Sequence, residues 1–175
     1  MKIFLTIVVF GMIAILLTIL YEYNRILYKN YEVNEEKLGD NSLSKKALIF
    51  WIPSKHDSCQ IVKNQVANDL INKGYSVVIN HPNENCNYDY REYDFICYIT
   101  PVYFSNVSKA MCQSMVSSNY TNKKVAIMCV GKEIEIKKET EYMRSLLRKE
   151  NVVSTIKVKK DELQRITNFI NSAII

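Results

Sequence analysis

The amino-acid sequence predicts an α/β fold: a three-layer sandwich on a five-stranded parallel sheet of order 2-1-3-4-5, preceded by one N-terminal transmembrane helix. An uncharged apolar run opens the chain, and five apolar runs of strand length follow it, separated by helical patterns of apolar residues. Such alternation indicates parallel strands joined by right-handed crossovers, with helices on both faces of the sheet. The strand order is that of the common doubly wound five-stranded folds.

The opening run covers Ile3–Leu20 and carries no charge. A helix of this length extends about 27 Å, which is enough to cross a bilayer. The main alternative is a cleaved signal peptide, but the run is long for one and no small-x-small cleavage site follows it. We therefore expect a transmembrane anchor over residues 1–21, with a collar of aromatic residues at the interface: Tyr21, Tyr23, Tyr28 and Tyr31.

Charge and cysteine usage favour a single-pass membrane protein whose C-terminal domain faces the cytoplasm. Arg25, Lys29 and Lys37 follow the span, against Lys2 before it. The five cysteines contain no C-x-x-C pair, which is typical of reduced cytosolic thiols and predicts no zinc site.

Residues 22–45 have the composition of a tether, since acidic and basic side chains balance there and residues 39–42 form a turn cluster. Ile26, Leu27 and Tyr31 recur at helical spacing, so the anchor helix is expected to continue for a few turns. The folded domain is predicted over residues 46–175.

Turn and helix signals bound the strands of this domain. The predicted strands are Ala47–Ile52, Tyr75–Asn80, Phe95–Ile99, Lys123–Val130 and Val152–Val158. Gly74 stops the first helix, and a turn at residues 81–85 follows the second strand. A helical pattern begins at Val107 after the third strand, and Asp161 is the predicted cap of the last helix.

The third strand indicates where a ligand would bind. It is expected to end at Thr100-Pro101, because proline has no N–H for the ladder, and Tyr103 and Phe104 then place two rings in a loop. In the predicted strand order this loop lies beside residues 53–58, at the carboxyl ends of the strands, where open parallel sheets bind ligands. Packing of the two rings at the rim of the sheet is the simpler alternative.

These segments resemble the flavodoxin-like family, over Lys46 to Ile175. Tyr93-Asp94-Phe95-Ile96 followed by Thr100-Pro101-Val102-Tyr103-Phe104 is similar to that family's third strand and its Ser/Thr-Pro-Val-Tyr-x-Gly loop. Lys46-Ala47-Leu48-Ile49 followed by Ser58 is similar to its first strand and its Ser-x-Thr-Gly-x-Thr phosphate loop. The resemblance implies FMN, with its phosphate held by the first loop and its isoalloxazine ring flanked by the second.

The resemblance also implies which residues form the cofactor site. They are Ser54, Lys55, His56, Asp57, Ser58 and Cys59 in the first loop, and Thr100, Pro101, Val102, Tyr103 and Phe104 in the second. Ser54, Lys55 and Ser58 would hold the phosphate together with the helix start. The ring would lie near Tyr103 and Phe104, with Trp51 nearby.

Both loops depart from the family pattern. Pro53, Lys55 and His56 take the places of the first Ser, the inner Thr and the Gly of the phosphate loop, and Ser105 replaces the Gly of the second loop. Glycine suits such a loop because it adopts φ > 0 at little cost and lets the backbone approach a phosphate. The alternative is a solvated helix-entry loop capped by Asp57 or Ser58.

The net charge of +5 lies in the domain, because the anchor and tether balance. Flavodoxin electron shuttles are typically acidic, so this chain differs from them. Lys132, Lys137 and Lys138 are expected on the ligand side, where they would favour a phosphate, an anionic partner or an anionic membrane leaflet; a solvated charged face is the simpler account. The basic residues are too scattered to predict a nucleic-acid partner.

No catalytic residue and no metal site is predicted. The two histidines, His56 and His81, fall on loops, and the sequence contains no H-E-x-x-H or G-x-S-x-G motif. Cys59 at a helix start would have a lowered pKa if it were a reactive thiol, and is otherwise an ordinary helix residue.

Three functions follow from these patterns. The first is a membrane-tethered domain that binds FMN and exchanges electrons with a membrane-associated redox protein. The second is a degenerate fold that has lost the cofactor and acts as a protein-interaction module at the membrane. The third is a flavin-dependent reductase or oxidase.

Overall fold

A computed structural model describes residues 2–40, 43–83 and 86–175, with side chains from Ile7 onward. The predicted turns at residues 39–42 and 81–85 lie partly outside the described residues, at positions 41–42 and 84–85.

One mixed sheet forms the centre of the domain. Its strands are β1 Glu36–Leu38, β2 Lys45–Trp51, β3 Tyr75–Asn80, β4 Phe95–Tyr103, β5 Asn106–Val107, β6 Lys124–Val130 and β7 Val152–Val158. Strands β3, β2, β4, β6 and β7 are parallel neighbours in that order, which confirms the predicted order 2-1-3-4-5. Two short antiparallel strands extend it: β1 pairs with the outer edge of β3, and β5 pairs with the end of β4.

Helices cover both faces of the sheet. They are α2 Ser58–Asn72, α3 Lys109–Ser117, α4 Lys138–Ser145 and α5 Leu163–Ala173, with α1 Lys2–Leu27 preceding the domain. Successive side chains of a strand point to opposite faces. Ile49 therefore packs with α2 and α5 in one core cluster, and Phe50 packs with α3 and α4 in the other. This arrangement is the predicted three-layer sandwich.

Helix α1 contains the predicted anchor. Ile7–Leu27 is long and apolar enough to cross a membrane, with a mean hydropathy of 1.9 over its most apolar window, and none of that window is buried. A signal sequence near an N-terminus has the same length and composition.

The described part of the chain between α1 and β2 packs against the domain. The N–H of Asn34 donates to Oδ1 of the buried Asn80 at 2.8 Å, and the Tyr88 hydroxyl donates to Glu35 at 2.8 Å. Strand β1 then pairs with β3. Strand β1 was not predicted from the sequence, because a strand of 3 residues is too short to show an alternation of polar and apolar residues.

The third predicted strand is longer than expected. Strand β4 continues through Thr100 and Pro101 to Tyr103, and Pro101 is paired in register with Val130 of β6. The ladder to β2 ends where the Ile52 N–H donates to the Ile99 carbonyl. Pro101 lies two residues further and faces the same side, where no strand remains, so its missing N–H removes no ladder bond.

The segment after β4 is a hairpin and not the start of a helix. Phe104 and Ser105 have φ of 47° and 60°, which makes them the central pair of a two-residue turn between β4 and β5. Helix α3 begins at Lys109 and not at Val107. The predicted cap of the last helix was also wrong: Glu162 precedes α5, and its carboxylate accepts from the N–H of Lys159 at 2.7 Å.

Candidate functional site

The two predicted loops meet at one cavity. It has a volume of about 750 Å³ and lies at the carboxyl ends of β2, β4, β6 and β7. Its lining residues are Ser54, Lys55, His56, Ser58, Pro101, Val102, Tyr103, Phe104, Ser105, Val130, Gly131, Lys132, Glu133, Glu139, Lys157, Lys159, Lys160 and Asp161. Eight of the predicted cofactor residues are therefore brought together, four from each loop.

Four of the residues expected to contact the cofactor are not part of the lining. Thr100 is fully buried in β4, Cys59 is buried beneath the first loop, and Asp57 is exposed without lining the cavity. Trp51 was expected near the ring, but it packs against His81, whose ring centroid is 4.9 Å away. Trp51 lies on the face covered by α2, because it follows Phe50 by one residue and so points to the opposite face.

The first loop is closed by Ser54. Its Oγ accepts a hydrogen bond from the backbone N–H of Cys59 at 3.0 Å and so satisfies one of the free donors at the start of α2. Neither Asp57 nor Ser58, the two alternatives considered from the sequence, caps the helix. Asp57 makes no side-chain capping bond, and the Ser58 hydroxyl donates to the His56 carbonyl at 3.5 Å.

The left-handed residue of this loop is Asp57, with φ of 53°. The comparison with the family pattern had put the glycine position at His56, one residue earlier. Aspartate tolerates this conformation better than most residues, because its short polar side chain interacts locally with the backbone. The loop therefore makes the turn without glycine.

The two rings of the second loop have different environments. Tyr103 is half-buried, and burial raises the pKa of its hydroxyl while a hydrogen bond from the backbone of Lys55 opposes the rise. Phe104 is 83% exposed at the tip of the hairpin, where the turn projects it away from the sheet.

Cys59 is not an activated thiol. Burial raises the pKa of Cys59 to about 12, and the hydrogen bond with Ser54 offsets only part of this effect. Of the two alternatives for Cys59, the structure supports the ordinary helix residue, because removal from water outweighs the favourable field of the helix terminus.

Half of the cavity follows β6 and β7, and Lys132 is the residue of that half that was predicted from the sequence. Gly131, Lys132 and Glu133 come from the loop after β6, and Lys159, Lys160 and Asp161 come from the loop after β7. Of the three lysines predicted on this side, Lys132 lines the cavity and Lys137 and Lys138 do not. The rule that predicted the first two loops applies to every parallel strand, and it would have found these segments as well.

A buried ion pair belongs to this second half. The ammonium of Lys157 lies 2.9 Å from Oε1 of Glu139, and the side chains of both residues are 2% exposed. Oε2 of Glu139 is buried and has no hydrogen-bond partner among the described residues. Gly131 lies against this pair, because a Cβ at that position would stand 3.3 Å from Cε of Lys157.

The charge of the lining is predominantly positive. Lys55, Lys132, Lys157, Lys159 and Lys160 face three acidic residues, Glu133, Glu139 and Asp161. A cleft with this balance attracts anions. A second cavity of about 530 Å³ lies near the amino ends of β4 and β6, away from the edge where parallel sheets bind ligands.

Comparison with known proteins shows similarity in structure but not in sequence. No protein-family model matches the chain, and no curated protein matches it. Oxidised flavodoxin 2 of Bacillus cereus superposes with a TM-score of 0.56 at 15% identity, over 73% of this chain and 97% of that one. A flavodoxin from the domain Archaea has a TM-score of 0.55 at 17% identity, over 74% and 96%.

The fold is flavodoxin-like. The same fold occurs as part of longer proteins: a mutant flavo-di-iron protein of Thermotoga maritima matches with a TM-score of 0.52 at 9% identity, over 78% of this chain and 37% of that one. Identities this low establish the flavodoxin-like architecture alone. Function must therefore be argued from the cavity.

Proposed function

We propose that this flavodoxin-like chain binds FMN in the 750 Å³ cavity and takes part in electron transfer. The observation that carries the proposal is the meeting of the two predicted loops, residues 54–58 and 101–104, at one cavity of the fold. Its volume is within the range of small-molecule sites. Bound FMN would supply the electron-transfer chemistry, and the chain would supply position and electrostatics.

The phosphate end is assigned to the first loop. Helix α2 has 15 residues, so its N-terminus presents free N–H groups and the positive end of a helix dipole. Lys55 and the Ser58 hydroxyl lie in the lining beside it. The donor set fits a phosphate in part. Ser54 accepts the hydrogen bond of the Cys59 N–H, so the N–H groups of His56 and Ser58 and the ammonium of Lys55 are left to receive the anion.

The ring end is assigned to the second loop. Tyr103 is half-buried in the cavity lining, so it offers an aromatic face to the cavity. Val102 and Gly131 lie opposite each other, with 3.3 Å between Cβ of Val102 and the position of a Cβ on Gly131. Apolar and aromatic walls are typical of sites for flat ligands.

The proposed association with a membrane depends on α1. We propose a single-pass protein whose domain faces the cytoplasm and exchanges electrons with a membrane-associated redox protein. The apolar helix supports the membrane anchor, and the packing of Tyr23 on Phe104 places the cavity rim beside the C-terminal end of that helix.

A visible spectrum of the full chain in detergent micelles tests the proposal. We expect flavin absorbance after purification or after titration with FMN. Ser58→Asp should weaken FMN binding by charge repulsion at the phosphate, whereas Ser172→Asp, on the exposed side of α5, should leave the affinity unchanged. Absence of flavin absorbance together with no uptake of FMN would refute the function.

A cofactor-free interaction module is the second candidate. Two observations favour it: the 83% exposed ring of Phe104 is suited to contact a partner, and Asp57 holds the position where glycine would let a phosphate approach most closely. Failure of FMN binding with an intact fold would select this function. Consumption of NAD(P)H by the flavin-loaded chain without a partner protein would instead indicate a reductase.

A further inference from the structure

The strongest unexplained feature of the cavity is Oε2 of Glu139. Glu139 is 3% exposed and lines the cavity, and one carboxylate oxygen is engaged by Lys157 at 2.9 Å. The other oxygen is buried without a hydrogen-bond partner among the described residues. A buried acceptor of this kind is costly to leave unpaired, and more so when it carries charge.

Lys157 adds a donor beside this acceptor. Its ammonium carries three N–H groups, and the structure shows one acceptor for them within the described part of the chain, Oε1 of Glu139. Both side chains are 2% exposed, so the pair is held in one geometry by the surrounding core. The pair thus presents a free acceptor and free donor capacity side by side.

We infer that Glu139 and Lys157 bind the imide edge of the flavin ring, and this inference rests on the proposed binding of FMN. An imide carries one N–H between two carbonyl groups. Oε2 of Glu139 accepts the ring N3–H, and Lys157 donates to a neighbouring ring carbonyl. The pair is then a binding determinant on α4 and β7, outside both loops from which the cofactor site was predicted.

The assignment is favoured by the position and the chemistry of the pair. Fixed positive charges at the first loop and the rim suit the phosphate, whereas a neutral pair with one free acceptor suits a neutral N–H group. Gly131 leaves space beside the pair, because a Cβ at that position would stand 3.3 Å from Cε of Lys157.

Binding of FMN and of FMN methylated at N3 to the full chain in detergent micelles tests the inference. The methyl group removes the donor that Glu139 is proposed to receive. We expect wild-type protein to bind the methylated flavin about 10- to 100-fold more weakly, the range for losing one hydrogen bond to a charged group. In Glu139→Gln the two flavins should bind within about twofold of each other, since the amide cannot accept in the same way while paired with Lys157.

Glu133→Gln is the matched control, because Glu133 lines the same cavity but is exposed. It should keep the wild-type preference for FMN. Equal binding of the two flavins by wild-type protein would overturn the inference, and this measurement needs no variant to fold. A preference that persists in Glu139→Gln would also overturn it, because the methyl group would then act by steric exclusion. If neither flavin binds, the proposed function itself is refuted.

Discussion

The ring of Tyr23 lies 5.6 Å from the ring of Phe104, edge to face, and the Tyr23 hydroxyl accepts a hydrogen bond of 2.6 Å from Nδ2 of Asn106. Tyr23 belongs to α1, and Phe104 and Asn106 belong to the hairpin that rims the cavity. Tyr23 follows Leu20, the end of the uncharged apolar run, by about 4.5 Å along the helix axis. The cavity rim is therefore held next to the end of the helix that could span a membrane.

Tyr23→Ala should release the hairpin from α1. We expect faster amide hydrogen exchange over residues 102–107, by about 3- to 30-fold, because both the ring contact and the hydrogen bond are lost. Tyr21→Ala is the control, since Tyr21 lies on the same helix, is 65% exposed, and should not change this exchange. Equal exchange in the two variants would show that α1 does not hold the hairpin.

Ser54→Ala should destabilise the domain by about 1 kcal/mol, the usual cost of losing a helix cap. Its Oγ is the acceptor for the N–H of Cys59, which would be left without a partner. Ser58→Ala removes only a 3.5 Å contact and should change the free energy of unfolding by less than about 0.5 kcal/mol. Urea unfolding in detergent micelles measures both, and equal losses would mean that Ser54 is not the cap.

Ser105→Gly should raise the free energy of unfolding by about 0.5 kcal/mol. Serine at φ of 60° is strained, and relief of that strain exceeds the extra entropy that glycine brings to the unfolded chain. Ser172→Gly, on the exposed side of α5, should instead lower stability by about 0.5 kcal/mol through loss of helix propensity. The same sign for both variants in urea unfolding would contradict the two-residue turn.

Gly131→Ala should destabilise the domain by about 1–2 kcal/mol, because the new methyl group overpacks the site. It would stand 3.3 Å from Cβ of Val102, which is fixed in β4, and 3.3 Å from Cε of Lys157, which is fixed by its ion pair. Gly11→Ala has nothing within 4 Å and should leave the domain unchanged. Differential scanning calorimetry compares the melting temperatures of the two variants. An unchanged melting temperature for Gly131→Ala would show that the neighbouring side chains move to make room for the methyl group.

Alkaline pH should destabilise the protein through Cys59. The pKa of its thiol is about 12 in the folded state because of burial, against about 8.5 when unfolded. The raised folded-state pKa gives a stability contribution that is complete below pH ~8.5 and is lost as pH rises toward ~12. Between pH 7 and 10, wild-type protein should lose about 2 kcal/mol more than Cys59→Ala. Parallel losses would place the alkaline sensitivity elsewhere, for example at the buried tyrosines.

The sequence alone determined the sheet and the neighbouring loops. Apolar runs of strand length and intervening helical periods predict parallel strands, and β3 and β7 had the predicted bounds. The order of the common five-stranded folds was correct for this sheet. The same order placed residues 54–58 beside 101–104. Burial and hydrogen bonding decided three features that the sequence pattern does not encode. Asp57 has a left-handed backbone conformation, and Ser54 caps α2. Pro101 continues β4 at a position where the neighbouring strand β2 has already ended.

Only the tertiary structure brought Glu139 to Lys157. The two residues lie 18 positions apart on α4 and β7, and neither belongs to a motif, so their pairing depends on how a helix packs over a strand end. The thiol of Cys59 shows the same limit, since the sequence places it at a helix start but desolvation sets its pKa. Strand periodicity is a local property of the chain, whereas the energy of a buried polar group depends on neighbours that folding brings from distant positions.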